Sequence, residues 1–369
     1  MLSSLKSWIF NFFFIFRYAG PEPKRYAYHN EKQYWIRVLD LFKWLYRESD
    51  CNRHYYLFGV NQKSCLQSDY IGSRQLLRIK KNFDTVGSGK YVSNGLSYDL
   101  ITKDKFVFYA YMKACNLPTV PVKYFIFKVC RNTIGEVKSI DSVIEEMGTC
   151  IIKNTLLEGG EGFMFCSLKS DGHLFVNHKR MDFVTLRNIL SQGSWIVQEV
   201  MKSHTALSKV NASALNITRI VTVRNASDIQ YLGGFQSFAT GNALNDSWNN
   251  GSIYVGFNRE SGRLQEYGYY HIEVAEKTVT HCHPDSQVIF SEFTIPYVKE
   301  AIDLCIQAHS FLPYHFLVGW DVAITENGPI LLEANEKPGM NAVQVFEGGL
   351  RKSVVECAEN TINSIKANK

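Results

Sequence analysis

Two apolar runs rich in Val, Ile and Leu, from Val318 to Thr325 and from Pro329 to Asn335, flank a short polar segment ending at Gly328. That is the pattern of a β-hairpin. A three-residue loop, Glu326-Asn327-Gly328, puts glycine at the left-handed position such a loop needs. Counting outward from it, Thr325 faces Pro329, Ala323 faces Leu331, and Asp321 lies opposite Glu333, with Asn335 two residues further on the same face. Side-by-side carboxylates repel across a ladder. The pair therefore calls for a cation, and an oxygen-only set of Asp, Glu and Asn suits Mg²⁺ carrying the phosphates of a substrate. A two-residue type I′ turn at Asn327-Gly328 also fits the local sequence; it shifts the register by one and sends Asp321 and Glu333 to opposite faces. In that case the hairpin is an ordinary solvated one with scattered acids.

The 369 residues suffice for two or three lobes with a sizeable core. Hydrophobic residues at 46% and charged ones at 20% mark a globular chain rather than a disordered one. A net charge of +5, with lysines and arginines dispersed singly, argues against a nucleic-acid partner and is compatible with small acidic substrates. Nine cysteines, odd in number and without a CxxC pair, indicate free thiols in a reducing compartment, hence a cytoplasmic protein.

Residues 8–16 form an aromatic run between Lys6 and Arg17, too short to span a bilayer and followed by a poor signal-cleavage site. Two readings remain: a helix packed on the core, or a peripheral anchor at the inner face of a membrane. Residues 30–83 have helical periodicity, carried by Trp35, Val38, Leu39, Leu41, Phe42 and Leu45 and again from Tyr70 to Ile79. The run from Asp84 to Tyr91 imitates a phosphate loop but lacks the required Gly and Ser/Thr, so it reads as a turn. A boundary falls within residues 93–100.

A helix then begins at a capping Thr102 with an early Asp104 and runs to Cys115. Lys105 sits where the helix dipole repels a cation; it either reaches a bound anion or is a tolerated surface charge. After strand 120–129 and an amphipathic segment 139–147, Lys153 interrupts an apolar strand, which places its ammonium in a polar cleft. Gly159, Gly160 and Gly162 follow in a loop whose amides could cover phosphates. The strand 195–198 ends in Gln198 and Glu199. If it lines a nucleotide cleft, the backbone through Val200 and Met201 meets an adenine edge and Glu199 or His204 a polar nucleotide group. Arg219, flanked by apolar residues in strand 216–224, suits a buried anion contact. His281-Cys282-His283 offers too few ligands for zinc. Helical signals return at 296–309 and from Leu350 on.

In this order, Asp104-Lys105, Ile152-Lys153 with its glycine loop, Gln198-Glu199, Asn216-Ile-Thr-Arg219, and Asp321 with Glu333-Ala-Asn335 and Pro338-Gly339, the chain resembles the ATP-grasp superfamily. The phrases Leu215 to Thr222, Val318 to Ala323 and Glu333 to Gly339 resemble its sugar-transfer-associated branch. The resemblance implies an α+β fold with nucleotide held between two subdomains: a largely helical region 1–100, a lid subdomain 101–203 with the glycine loop, and a C-terminal subdomain 204–369 with the metal ligands. It implies that Lys105 and Lys153 contact ATP phosphates, Glu199 the adenine or ribose region, and Asp321, Glu333 and Asn335 two Mg²⁺ ions, with Arg219 clamping the transferred phosphoryl group. The implied activity is a carboxylate–amine ligase working through an acyl phosphate, with an amine and a small or sugar-linked acid as substrates, in surface-polysaccharide or glycoconjugate assembly. A kinase on the same site and a non-catalytic nucleotide-binding accessory are the rivals. His204 and Glu336 are the weak candidates for a base. Gln236 and Ser237 stand where the branch has a basic residue, and Glu336-Lys337 where it has smaller polar ones.

Overall fold

The computed structural model describes residues 11–20, 30–87, 98–157, 161–243, 251–270 and 279–367. Gly159, Gly160, residues 8–10 of the aromatic run, residues 88–97 and the turn-rich loop 244–250 lie outside these.

Residues 11–18 are helical. Helix α1, Tyr34–Glu48, buries Val38, Leu41, Trp44 and Leu45 against Ile15, Tyr55, Tyr56 and Phe58. The 11–16 part of the aromatic run splits: Ile15 is fully buried, Phe12 and Phe16 meet Phe42 in tilted and edge-on ring contacts, and Phe13 stays 69% exposed. Helix α2, Ser73–Gly87, brings Phe83 onto Phe316. The segment read as one helix from Thr102 is two. A single turn, α3 (Leu100–Lys103), holds Thr102, and α4 (Lys105–Ala114) starts anew. The reason is the cap: Asp104 Oδ1 accepts from the amides of Phe106 and Val107, both at 2.9 Å, which fixes Asp104 in an extended conformation that continuous helix forbids.

Period-two alternation from 122 to 198 builds an eight-stranded antiparallel sheet. Its strands are β1 (Val122–Phe127), β2 (Val129–Asn132), β3 (Val137–Lys138), β4 (Thr149–Asn154), β5 (Phe163–Leu168), β6 (Leu174–Val176), β7 (Lys179–Met181) and β8 (Trp195–Gln198), in the order 3-2-1-8-4-5-6-7. Helices α5 (Ile140–Met147) and α6 (Phe183–Leu190) cover one face, packing Val143, Ile144 and Leu186 on Cys150, Ile152 and Val197. After the short helix α7 (Thr205–Val210) comes a seven-stranded sheet. It comprises β9 (Ile217–Asn225), β10 (Asp228–Phe238), β11 (Ile253–Phe257), β12 (Leu264–Tyr270), β13 (Val279–Thr280), β14 (Leu317–Thr325) and β15 (Gly328–Asn335), ordered 13-12-11-10-9-14-15.

This second sheet is covered on both sides. Helix α8 (Val298–Ser310) and α4 pack on the face bearing Ile220, Phe238, Val322 and the fully buried Trp320. The other face, with Val221, Val223 and Leu317, meets α2, α9 (Met340–Glu347) and α10 (Arg351–Ala367). Every residue of β14 is buried, as a central strand with two covered faces demands. Arg224 donates to the carbonyls of His309, Leu312 and His315, satisfying acceptors that the C-terminus of α8 leaves open. The outer edge of β15 is also occupied. Thr119 pairs with Leu331 in parallel, Leu331 N donates to Pro118 O at 3.0 Å, and Val120 N donates to Leu331 O at 3.3 Å. The link from α4 into the first sheet thus runs along the second.

The β14–β15 hairpin reaches the expected pairing by another path. Gly328 takes a positive φ of 102°, but it pairs with Thr325, leaving a two-residue loop of Glu326 and Asn327. The ladder then runs one residue out of the expected register, Ala323 facing Ile330, until the shift between Val322 and Asp321 leaves Leu332 without a ladder partner and sets Asp321 opposite Glu333. The bulge cancels the shorter turn.

Candidate functional site

Arg219 on β9 pairs with Asp321 on β14, which pairs with Glu333 on β15, so one row crosses three neighbouring strands on one face. Arg219 Nε lies 2.7 Å from Asp321 Oδ1, and Nη2 donates to Oδ2 at 3.2 Å. One hydrogen bond and a second close charge contact hold the two groups together. Glycine at 319 makes room for this. A Cβ there would lie 2.6 Å from Pro338 Cβ and 3.3 Å from Arg219 Nη1. Asn335, opposite Gly319, shares the face of Glu333.

Lys105 and Lys153 come from the other side. Lys153 is half-buried in β4, opposite Phe163 and Ile196. Lys105 opens α4; its amide donates to Thr155 O at 2.9 Å and its ammonium to Leu157 O at 2.6 Å, tying the helix start to the end of β4. Burial alone would raise the Glu333 carboxyl, but Lys105, Lys153, a hydrogen bond with Asp321 and Arg219 outweigh it and hold the group below the ordinary value. The charges of Lys105, Lys153 and Arg219 thus all act on Glu333, and Arg219 is also paired with Asp321. The two lysines are 48 residues apart in sequence and more than 100 from Asp321.

Gly162 closes the base of the glycine loop. Its φ is 69°, and its carbonyl accepts from Asn154 N at 3.0 Å. Asn154 Oδ1 in turn accepts from the amides of Leu156 and Leu157. Gln198 is buried, its amide donating to Val120 O. Glu199 is more than half exposed and pairs with Lys123 at 2.8 Å, Val200 is exposed, and Met201 is half-buried. His204 is placed apart from the carboxylate row. It caps α7 through Nδ1, its Nε2 lies 3.4 Å from Glu326, and its amide donates to Ile324 O, three residues along β14 from Asp321 or ~10 Å.

Gln236 is fully buried and engaged with Thr218, Ile217 O and Ser237 O, so it completes the sheet interior. Glu336, 8% exposed, is ion-paired with Lys80 and lies 3.1 Å from Lys103. Burial pushes the adjacent Asp99 carboxyl up, but Glu336, Lys80 and Lys103 bring it down to about 2. Sequence reasoning passed over Lys80, Asp99 and Lys103. Lys80 meets Glu336 across 256 residues, a distance at which no local pattern carries a signal.

The model of one protein family, sugar-transfer associated ATP-grasp, matches residues 91–359. The chain belongs to that family. The match spans both sheets and every residue of the row. No curated protein matches this ATP-grasp chain. Among solved structures it is similar to D-alanine–D-alanine ligase from Bacillus anthracis, with 10% identity, 76% of each chain covered and a TM-score of 0.41. It is also similar to L-amino acid ligase from Bacillus licheniformis, with 11% identity, 75% of this chain and 52% of that one, and a TM-score of 0.40. N5-carboxyaminoimidazole ribonucleotide synthetase from Thermotoga maritima gives 12% identity, 64% and 42% coverage, and a TM-score of 0.34. The chain spans less than half the length of the two such synthetases it matches.

Proposed function

We propose that this ATP-grasp protein is an ATP- and Mg²⁺-dependent carboxylate–amine ligase. The observation that carries the reading is the row Arg219–Asp321–Glu333, with Lys105 from the start of α4 and Lys153 from the first sheet acting on Glu333. Two carboxylates and the Asn335 carboxamide offer only oxygen donors, the set a hard divalent cation takes. Among the described residues no cluster of three or more His, Cys, Asp or Glu competes with it. The residues present therefore fit Mg²⁺, held by Asp321, Glu333 and Asn335, where it would supply charge neutralisation for phosphoryl oxygens.

The chain's own work is electrostatic. Lys105 and Lys153 hold the triphosphate, the backbone from Gln198 to Met201 meets the base, and Arg219 offsets charge that builds on the phosphoryl group as it passes to a carboxylate. ADP leaves and an acyl phosphate forms. An amine then attacks the acyl carbon, the C–N bond forms, phosphate departs and the nitrogen loses a proton. His204 and Glu336 are already engaged with Glu326, Ala206 and two lysines, so neither takes the part of base in this reading. Water is kept from the acyl phosphate by the loop that Gly162 closes. A place for the reaction in surface-polysaccharide or glycoconjugate assembly is proposed on the words sugar-transfer associated in the family's description alone.

The test is a screen of acid and amine pairs for ADP release, read by mass spectrometry. ADP with free phosphate and a condensed product only when acid and amine are both present is the expected result; a stable phosphorylated acid points to a kinase, and nucleotide binding without turnover to a non-catalytic protein. Lys153→Met is expected to raise the KM for ATP about tenfold or more, with the fold retained.

A further inference from the structure

Helix α1 is apolar on both sides. Its inner side is spent on the N-terminal core, yet at 100° per residue Trp35, Tyr46, Leu39, Lys43 and Ile36 share one outer arc of about 100°, with the half-buried Phe42 at its rim. Trp35 is 66% exposed, Leu39 57% and Tyr46 91%. Phe13 extends the patch, because Phe12 beside it lies 5.5 Å from Phe42, ring to ring. Large apolar side chains gathered on one exposed face, rather than scattered singly, mark a surface that meets a partner.

Charge and composition say what that partner is. Residues 1–63 carry ten lysines and arginines against five acids, whereas residues 64–369 carry thirty of each, so the whole excess of +5 sits in the segment that bears the patch. On the outer arc of α1, Lys43 is the one charged side chain. Three of the acids nearby are ion-paired, and each takes up one cation: Asp40 pairs with Lys32 at 2.8 Å, Glu31 with Arg37 at 2.8 Å, and the buried Glu48 with Arg47 at 3.0 Å. Exposed Trp, Tyr and Phe beside a lysine, in a segment with a basic excess, are the composition of a bilayer interface, where the rings lie at headgroup depth and the cations meet anionic lipid. Trp35 and Tyr46 are eleven residues apart, about 16 Å along the axis, so the patch runs most of the helix's length. Among the described residues no helix is long and apolar enough to cross a membrane.

We propose that the outer face of α1, with Phe13, docks on an anionic lipid surface. This goes beyond the ligase reading and does not depend on it.

The test is co-sedimentation of the full chain with phosphatidylcholine vesicles, with and without about a third phosphatidylglycerol. The wild type is expected to bind the anionic vesicles and to be released by salt. Lys43→Gln should weaken binding about fivefold, and Trp35→Ser with Tyr46→Ser more than tenfold. Because these side chains face solvent, the unfolding midpoint and nucleotide binding should not move. A wild type that stays in the supernatant, or a double variant that sediments as well as the wild type, overturns the proposal. So does a concentration-dependent dimer, in analytical ultracentrifugation, that the double variant abolishes, since the patch would then be an interface between copies.

Discussion

At the scale of single residues, the site is set by which charges are neighbours. Asp321 is 7% exposed and is ion-paired with Arg219 beside a second carboxylate. Removing one of the two carboxylate charges leaves the packing intact but unbalances the cations. We expect Asp321→Asn and Glu333→Gln each to lower ATP-dependent turnover by about 10²–10³-fold or more, the range for deleting one preorganised electrostatic partner. Circular dichroism melts should stay within a few degrees of the wild type. Near-normal turnover in both variants would remove the row from the chemistry. Arg219→Lys keeps the charge and loses the fork, so it separates the two contributions: a loss close to that of Arg219→Ala assigns the effect to geometry.

At the scale of elements, the hairpin shows how far a pattern reads. The polar break, the positive φ of Gly328 and the pairing of Asp321 with Glu333 follow from residue types and period. The path between them does not, because Leu331 and Leu332 are both apolar and nothing in their identity marks Leu332 as the unpaired one. The break between α3 and α4 was hidden for a similar reason, since Thr102 and Asp104 are both acceptable caps and only the choice of Asp104 divides the segment. Lysines at 105 and 153 were legible as misfits in their own elements, one at a helix start and one in an apolar strand. Their convergence on Glu333 belongs to the tertiary structure. Gly319 drew no notice in the sequence, yet it carries the close approach of Pro338 to β14. Gly319→Ala should therefore cost about 1–3 kcal/mol of stability, measured by denaturant unfolding, because the clash is with a ring and a neighbouring backbone that cannot swing away.

At the scale of the whole molecule, stability depends on histidines kept neutral. His309 is fully buried between Thr222 and His315 O, and burial lowers its pKa to about 3; burial likewise brings His315 down to about 4. In the unfolded chain both titrate near 6.5. Between 6.5 and 4 the unfolded state therefore binds protons that the folded state refuses, so stability is complete above pH 6.5 and falls as the pH drops through this window. The expected slope is about 1 kcal/mol per pH unit for each histidine. Urea midpoints at a series of pH values check the sign and the window, and a flat profile from pH 7 to 4 would refute both. His309→Gln, which still offers a donor to His315 O, should make the profile shallower. The two sheets meet where residues 118–120 lie along the edge of β15, and the Leu331 amide spends its hydrogen on Pro118 across that join. Parting the sheets breaks this bond before it disturbs the hairpin's own ladder. Amide exchange at Leu331 is thus a clock for separation of the two sheets, and under the proposed function saturating nucleotide should slow it while leaving the interior amides of β14 as they were.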